Sequence, residues 1–512
     1  MAIYVFNLLV GYYTGGLDTA QGVRSRYLRK TKHNVKYIFD TVPTYRELLV
    51  YHNLGICVEE MLCAQLFMTG NYNFAGNIKV SDKLQELVEK LQVNKTVEIG
   101  NSLRLYHENQ LVASIERKEN KEFLYQISYY HNNGKLILTE WYGDSLLYTD
   151  HFVTAEKDGK KYAKKVKTSF FDKKGTNVYD CLYDINGEEL YVYPDGQSYS
   201  KTQWFYKFIQ ALKLSEDDIV ILERPSFNSY VQPLFQYGGK AKKVVVFHSG
   251  HYFERGEDTG SLYMNREYYY WFKYSEKIDL MIVSTEEQKE DIRTKLLEFS
   301  KEIPRIEVVP AGGLAVIKRT KEFRKPRSLV TVSRLVPGKK VDWVIESVIE
   351  ARKGIPELTL DIYGEGKATS ALKELVHQYN AEEYIHFMGH CDVSEVYKNY
   401  EGYISGSVFE TLGLSVMEAI GSGNAVIGLD ARYGNRVLIE DGKNGRLIKF
   451  SPDDIQNPQR VKEIISDMAK CIVEVFSDEE MLLAYQEHSY QIAERFLNDK
   501  IEKKWIDVIE SL

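Results

Sequence analysis

The chemistry-bearing residues of this chain are densest between Ser407 and Gly445, SVFETLGLSVMEAIGSGNAVIGLDARYGNRVLIEDGKNG. Glu410 and Glu418 are separated there by seven residues, with Gly413 between them. A helix starting near Leu414 would put Glu410 on the loop at its mouth and Glu418 about one turn inside. Unpaired first-turn N–H groups and a partial positive charge suit a pyrophosphate, so the carboxylates can hold other parts of one ligand. Paired glutamates on a helix are ordinarily a solvated face, and the reading therefore depends on what else the chain supplies.

It supplies Ser333-Arg334-Leu335-Val336-Pro337-Gly338-Lys339-Lys340, two cations five residues apart where a predicted strand ends. Arg334 can fork two oxygens and Lys339 can act as a point charge, which neutralises a diphosphate leaving group without a metal. Alone, Lys339 and Lys340 read equally well as surface lysines. No Asp-x-Asp triplet occurs to hold a magnesium ion. Two weaker signals lie earlier: Thr14-Gly15-Gly16-Leu17 between a first strand and a helix from about Asp18, and His248-Ser249-Gly250-His251-Tyr252 after another apolar run. Gly15 and Gly16 allow close backbone approach to a bound group. A strand-end histidine is usually a packing residue; two beside a glycine point further toward a site.

The elements that must position these residues follow from periodicity. From about Gln203 to Ile448, short β-branched runs alternate with amphipathic stretches, the pattern of parallel β/α units whose sheet is covered on both faces. Strands are predicted at Ile219–Glu223, Lys243–Phe247, Leu280–Ser284, Ile306–Pro310, Leu329–Ser333, Leu358–Tyr363, Ile385–Met388, Tyr403–Ser405 and Ala425–Leu429. The segment Val316–Pro326, with five basic residues and a proline, interrupts the rhythm and reads as a linker. From about Asn71 to Lys201, after a short helix near Val80–Leu91, alternating strands are joined by Asn133-Gly134, Asn186-Gly187 and Pro194-Asp195-Gly196, a run of antiparallel hairpins. The fold class is thus α/β, with two Rossmann-like domains facing a cleft and an antiparallel sheet inserted in the first. The expected divisions are 1–70 with 203–315 for the N-terminal, acceptor-side domain, 71–202 for the insertion, 316–494 for the C-terminal nucleotide-sugar domain, and a helix over 495–512 crossing back.

Composition bounds the function. A chain of 512 residues exceeds one hydrophobic core, which excludes a single small binding module. Sixty-six basic against 73 acidic residues give a net charge of -7, so no global attraction to nucleic acid or anionic lipid is expected. Five scattered cysteines without a CxxC pair read as reduced thiols. No apolar stretch suggests a transmembrane helix, and the apolar N-terminal run reads as a buried strand rather than a signal peptide. The 38 tyrosines point to extra half-buried β surface, much of it in the insertion.

The Gly-Gly turn, H-x-x-H, R-x4-K and E-x7-E, in that order, resemble the retaining GT-B glycosyltransferases of family 4. Within it, KVVVFHSGHY, LVTVSRL, VDWVI, ELTLDIYG, VMEAIGSG, YGN, IEDGKNG, SYQIAERFL and the KW near the end resemble the GtfA-subunit family of accessory-Sec glycosyltransferases over essentially the whole chain. The wall teichoic acid glycosyltransferases share the insertion. The resemblance implies transfer of GlcNAc from UDP-GlcNAc to Ser/Thr hydroxyls of a serine-rich repeat adhesin before export. It places the protein in the cytoplasm, with peripheral contact to the membrane's cytoplasmic face left open, and gives it a GtfB-type co-subunit.

By the same resemblance, Arg334 and Lys339 would hold the diphosphate and Glu418 the ribose. Glu410, with the backbone from Leu412 through Gly413 to Leu414, would hold the donor sugar. His251 would lie near the reacting carbon, with His248 not separable from it. Gly16 would pack against the phosphates and His390 would neighbour the uracil. No metal or other cofactor is implied. Alternatives are UDP-glucose as donor, a teichoic acid acceptor, and a non-catalytic substrate-binding partner. Many relatives carry Glu-Gly-Phe-Gly where this chain has Glu410-Thr411-Leu412-Gly413, which would put a side chain at 411 beside the donor sugar. Lys340 stands where a glycine is frequent. The lysines at 157, 160, 161, 164, 165, 167, 173 and 174 read as a solvated hairpin or as contact with a partner or membrane.

Overall fold

The structure is a computed structural model that describes residues 1–7, 16–73, 76–223, 230–253, 263–299, 302–320 and 324–512. It divides into two compact units, one formed by 1–14 with 33–243 and the other by 15–32 with 244–512.

In the first unit, four strands run parallel in the order Ile219–Leu222, Ala2–Asn7, Asn34–Phe39, Met61–Cys63. Ile3, Phe6, Ile38 and Phe39 are fully buried, as sheet covered on both faces requires. Between Lys95 and Ser200 ten antiparallel strands follow, each paired with the next in sequence. The three turns expected from their Gly dipeptides share one geometry. The residue opening the loop donates to the carbonyl four residues on (His131 to Lys135, 2.8 Å; Asp184 to Glu188, 3.1 Å; Tyr193 to Gln197, 2.9 Å). The fourth loop residue is Gly134, Gly187 or Gly196, at φ 75, 84 and 84°, a conformation glycine adopts without a Cβ penalty.

Strand alternation gathers Leu105, Ala113, Ile115 and Ile127 into a cluster with Val80 and Leu87 of the helix Val80–Lys90. The other face carries an in-register row of Ser114, Ser128, Thr139, Asp150 and Thr168. Asp150, buried there, accepts from Thr168 Oγ1 at 2.6 Å and Trp141 Nε1 at 3.1 Å, so the polar row is internally satisfied. Six of the eight lysines fall on the long hairpin Leu146–Lys157 and Lys160–Phe171, whose outer half is solvated at Lys157, Lys160 and Lys161, and Lys173 and Lys174 lie in the turn that follows it.

The strand Lys242–Val246, which enters the second unit at Val244, leads to Leu280–Val283 and Arg305–Val308, all parallel. A separate six-stranded parallel sheet contains, in chain order, Lys325–Val332, Thr359–Tyr363, Ile385–Gly389, Tyr400–Ser405, Ala425–Leu429 and Gly445–Ile448. Their spatial order is 3-2-1-4-5-6, that of a doubly wound nucleotide-binding sheet. The segment read as a linker is anchored where it is described. The Lys318 amide donates to Gly421 O at 2.8 Å, Arg319 pairs twice with Glu487 at 2.7 and 3.0 Å, and Arg324 donates to Tyr400 O at 2.6 Å and Ser422 O at 2.7 Å. Its charges, which in sequence look solvated, serve as carbonyl caps and ion pairs, and the strand begins already at Lys325.

The C-terminal helix Asn498–Glu510 packs on the helix Gly16–Leu28 of the same unit. Tyr27 OH donates to Asn498 Oδ1 at 2.9 Å, and the Arg24 guanidinium lies 4.8 Å from the centre of the buried Trp505 ring. Truncating Trp505 to alanine removes a fully buried aromatic ring, and a loss of about 3–5 kcal/mol in stability is expected. The check is a denaturant melt of the variant beside the parent chain.

Candidate active site

The order of the six-stranded sheet reverses between Lys325–Val332 and Tyr400–Ser405, and such sheets hold ligands in the crevice beyond the strands' carboxyl ends at that point. The loops leaving both strands carry predicted site residues. After the first, Pro337–Lys339 form a single 3-10 turn and Lys340 adopts φ 43° ahead of the helix Val341–Ala351. After the second, Gly406 lies so close to this turn that a Cβ would stand 2.5 Å from Lys340 O, and the Val408 amide donates to Gly338 O at 3.3 Å. The two loops therefore run backbone against backbone, and Lys339 Nζ forms an ion pair with the Glu410 carboxylate. An ammonium has three donors, so this pairing leaves Lys339 able to bind further oxygens. Arg334 is exposed, and its side chain has no hydrogen bond or ion pair among the described residues.

Glu410 is held by its own backbone. Its amide donates to Arg432 O at 2.9 Å, and its carbonyl accepts from the amides of Tyr433 and Gly434 at 2.6 and 2.7 Å. A Cβ on Gly434 would lie 2.1 Å from Leu412 O, so only glycine fits there. Gly413, at φ 82°, turns the chain into the helix Leu414–Gly421, where the sequence predicts it. The amides of Leu414, Ser415 and Val416 open that helix without intrahelical partners. Leu412 is buried beneath the turn. Glu418 lies in the helix's second turn and accepts from Tyr397 OH at 2.8 Å. As a residue Glu418 is exposed to solvent. Desolvation holds its carboxyl above the usual value, and the Tyr397 donor opposes the shift.

The histidine loop lies against the same segment. Thr411 Oγ1 donates to His248 O at 3.1 Å, and a Cβ on Gly250 would come 2.9 Å from the Phe409 ring. His248 is half-buried; His251 is 1% exposed, its ring stacked 5.9 Å from Phe272. Burial, then the charges of Lys295 and Arg432, pull the His251 pKa down to about 3, so His251 is a neutral imidazole at any working pH. His390 is exposed just past Gly389, whose carbonyl accepts from the Gly364 amide at 2.8 Å; the loop from Gly364 in turn accepts from Leu335 N through Glu365 O at 3.0 Å. A chain of loop contacts thus links His390's strand end to Arg334's. Gly16 opens the helix Gly16–Leu28, while Gly15 lies outside the described residues.

The fold therefore gathers Arg334, Lys339, Glu410, Glu418 and the 414–416 amides around one switch point, with the histidine loop bonded to Glu410's neighbour. Two cations with a helix mouth suit a diphosphate, and two carboxylates suit sugar hydroxyls. Sequence reasoning misses Tyr397, Gln288, Glu287, Asp291 and Arg432. None sits in a motif with a spacing of its own; only the YGN run beside Arg432 hints at that loop.

Comparison with known proteins bears on the fold and family of the chain. The model of the family described as glycosyl transferases group 1 matches residues 315–472. Over 523 residues the chain is 32% identical to the UDP-N-acetylglucosamine–peptide N-acetylglucosaminyltransferase GtfA subunit of Streptococcus gordonii, covering 100% of this chain and 99% of that protein. It superposes on the crystal structure of the pneumococcal O-GlcNAc transferase GtfA in complex with UDP and GlcNAc with a TM-score of 0.82 at 32% identity, covering 100% and 99% of the two chains. It superposes on a chain of a GtfA/B complex with a TM-score of 0.86 at 30% identity, again covering 100% and 99%. The fold is GT-B, with parallel α/β sheets and an antiparallel sheet in the N-terminal region.

Burial of His251 makes stability depend on pH. The unfolded imidazole titrates near 6.5, so from about pH 6.5 down to about pH 3 the unfolded chain binds the additional proton and stability falls with pH; above that window the contribution is complete. His251→Gln is expected to show a smaller drop in melting temperature between about pH 7.5 and about pH 5 than the parent, by thermal scans at matched ionic strength.

Proposed function

Because the chain belongs to the GtfA-subunit family of UDP-N-acetylglucosamine–peptide N-acetylglucosaminyltransferases, we propose that it transfers GlcNAc, with retention, from UDP-GlcNAc to Ser/Thr hydroxyls of a serine-rich repeat adhesin. The observation that carries the reading is the Lys339–Glu410 ion pair, which joins the loop of Arg334 and Lys339 to the loop of Glu410, ahead of the helix that carries Glu418, at the switch point of a 3-2-1-4-5-6 sheet. In this reading Arg334 and Lys339 hold the diphosphate, and their two charges take the place of a divalent metal. Glu418 holds the ribose hydroxyls and His390 borders the uracil. Glu410 with the amides of 412–414 holds the sugar. Gly15 and Gly16 are assigned to the phosphates by the family resemblance, and the His248–His251 loop borders the reacting carbon.

The acceptor oxygen attacks the anomeric carbon on the face that the diphosphate leaves. The bond from that carbon to the β-phosphate oxygen breaks, and the departing oxygen takes the hydroxyl proton. The protein's share is positioning and charge stabilisation. A GtfB-type subunit is the proposed partner, supported by the relative found in a GtfA/B complex. The cytoplasm is the proposed site of reaction, before the adhesin is exported. No described helix is long and apolar enough to cross a membrane.

Two tests apply. Arg334→Ala and Lys339→Ala are each expected to lower transfer by about 10²–10³ with melting temperatures close to the parent's; near-normal turnover in either removes the diphosphate assignment. With the partner subunit present, UDP-GlcNAc and UDP-glucose are each offered with a Ser/Thr-rich peptide and with a polyol phosphate. GlcNAc on the peptide supports the proposal. Preference for glucose or for the polyol moves the assignment to those substrates, and absence of UDP release in every combination makes the chain a non-catalytic partner.

A further inference from the structure

The loop 248–251 has four successive carbonyls, each bonded by a different group. His248 O accepts from Thr411 Oγ1 at 3.1 Å, Ser249 O from Gln288 Nε2 at 3.1 Å, Gly250 O from Asn265 Nδ2 at 3.0 Å, and His251 O from the Asn265 amide at 2.9 Å. The amides of His248 and Ser249 are taken as well, donating to Tyr268 OH at 3.1 and 2.9 Å. Gln288, Asn265 and Tyr268 all belong to the segment that follows this loop. Thr411 alone in this set comes from the segment of Glu410.

A second attachment joins the same two regions. The helix Glu286–Phe299 carries Gln288, which is fully buried, and beside it Glu287 and Asp291. Glu287 Oε1 pairs with Arg436 Nη1 at 2.6 Å and with Arg432 Nε at 3.3 Å, and Asp291 Oδ2 pairs with Arg432 Nη1 at 3.1 Å. Arg432 is the residue whose carbonyl accepts the Glu410 amide. One helix therefore grips the histidine loop through Gln288 and the backbone partner of Glu410 through its two acids, and Thr411 closes the ring.

We infer that Thr411 is a positioning residue that, with the Glu287/Asp291 to Arg432/Arg436 ion pairs, clasps the histidine loop to the Glu410 loop, rather than a side chain that selects the donor sugar. Its hydroxyl proton is committed to a backbone carbonyl. A glycine at 411 would remove this donor from His248 O and leave the register of the two loops to the ion pairs and to the packing of Gly250 against the Phe409 ring. The acids of those pairs are 23–28% exposed and the arginines 36–37%, so the pairs are weakened by salt. The neutral Thr411 bond is insensitive to it. The inference rests on the proposed transferase reading for its kinetic consequence, and on geometry alone for its structural one.

The test compares Thr411→Val, which keeps the shape and loses the hydroxyl, with Thr411→Ser, which restores it. Backbone hydrogen exchange of the intact chain, without substrate, is expected to speed up around 248–251 in Thr411→Val and to return to the parent rate in Thr411→Ser. In transfer assays with the partner subunit, kcat of Thr411→Val is expected to fall about fivefold, the factor one hydrogen bond supplies. KM for UDP-GlcNAc and the UDP-GlcNAc to UDP-glucose ratio are expected to stay within about twofold, and the kcat loss is expected to grow as salt is raised. Unchanged exchange in Thr411→Val overturns the clasp. A changed donor ratio at parental kcat overturns it in favour of sugar selection. Should the parent chain transfer no GlcNAc at all, the transferase reading fails, and the exchange measurement still decides the clasp.

Discussion

Three backbone hydrogen bonds between Glu410 and the 432–434 segment are the constraint on which the rest of the site depends. A glutamate on a loop would ordinarily sample many positions, because ordering both backbone and a long side chain costs conformational entropy. Here the amide and carbonyl of Glu410 are both engaged, and Gly434 lets the two segments approach to where a Cβ would strike Leu412 O. The carboxylate then leaves a rigid point and meets Lys339. Everything downstream inherits this register: Thr411 toward His248, Gly413 at the helix mouth, and Glu418 one turn farther on.

Charge is distributed with the same economy. The chain carries a net -7, yet the crevice concentrates Arg334, Lys339 and a helix N-terminus. Lys339 has its countercharge in Glu410, so the positive site is not left to repel itself, while Arg334 stands exposed. Farther out, Arg432 and Arg436 are answered by Glu287, Asp291 and Asp430. Glu440, held down to about 2 by His488 and also contacted by Lys443 and Arg495, fixes the loop that follows the Arg436 helix. Its partly buried carboxylate is stabilised by donors rather than by solvent, which is why its proton is released so readily. The result is a ligand mouth whose Arg334 has no ion-pair partner among the described residues, beside Arg432 and Arg436, which are paired.

Much of this is legible in the order of the amino acids. The glycine turns of the inserted sheet follow from φ alone, and Asn133-Gly134, Asn186-Gly187 and Asp195-Gly196 all close as predicted. The strands of the parallel sheets lie within a few residues of the apolar runs, and the helix after Gly413 starts at Leu414. Less legible are residues that act through partners distant along the chain. The basic stretch 316–326 resembles a solvated tether because one acid, Glu322, stands in it against five cations; partners of Lys318, Arg319 and Arg324 are at 395, 400, 422 and 487. Thr411 reads as a group beside a sugar, and its hydroxyl is bonded 163 residues away. His251 carries no local signal of burial, since the Phe272 ring that stacks on it comes from another element.

Sequence alone therefore settles what the backbone decides over a few residues: where strands and helices run, where glycine must turn the chain, and which charged residues sit at strand ends. It also settles the family, because motif order along the chain survives without coordinates. Only the tertiary structure decides the strand order that makes a switch point, the pairing of Lys339 with Glu410, the burial that keeps His251 neutral, and the commitment of Thr411 to a backbone carbonyl. The physical reason is range. Dihedral preference and periodicity act locally and are written in neighbouring letters, whereas a hydrogen bond or an ion pair acts over about 3 Å of space between residues that only the completed fold brings together.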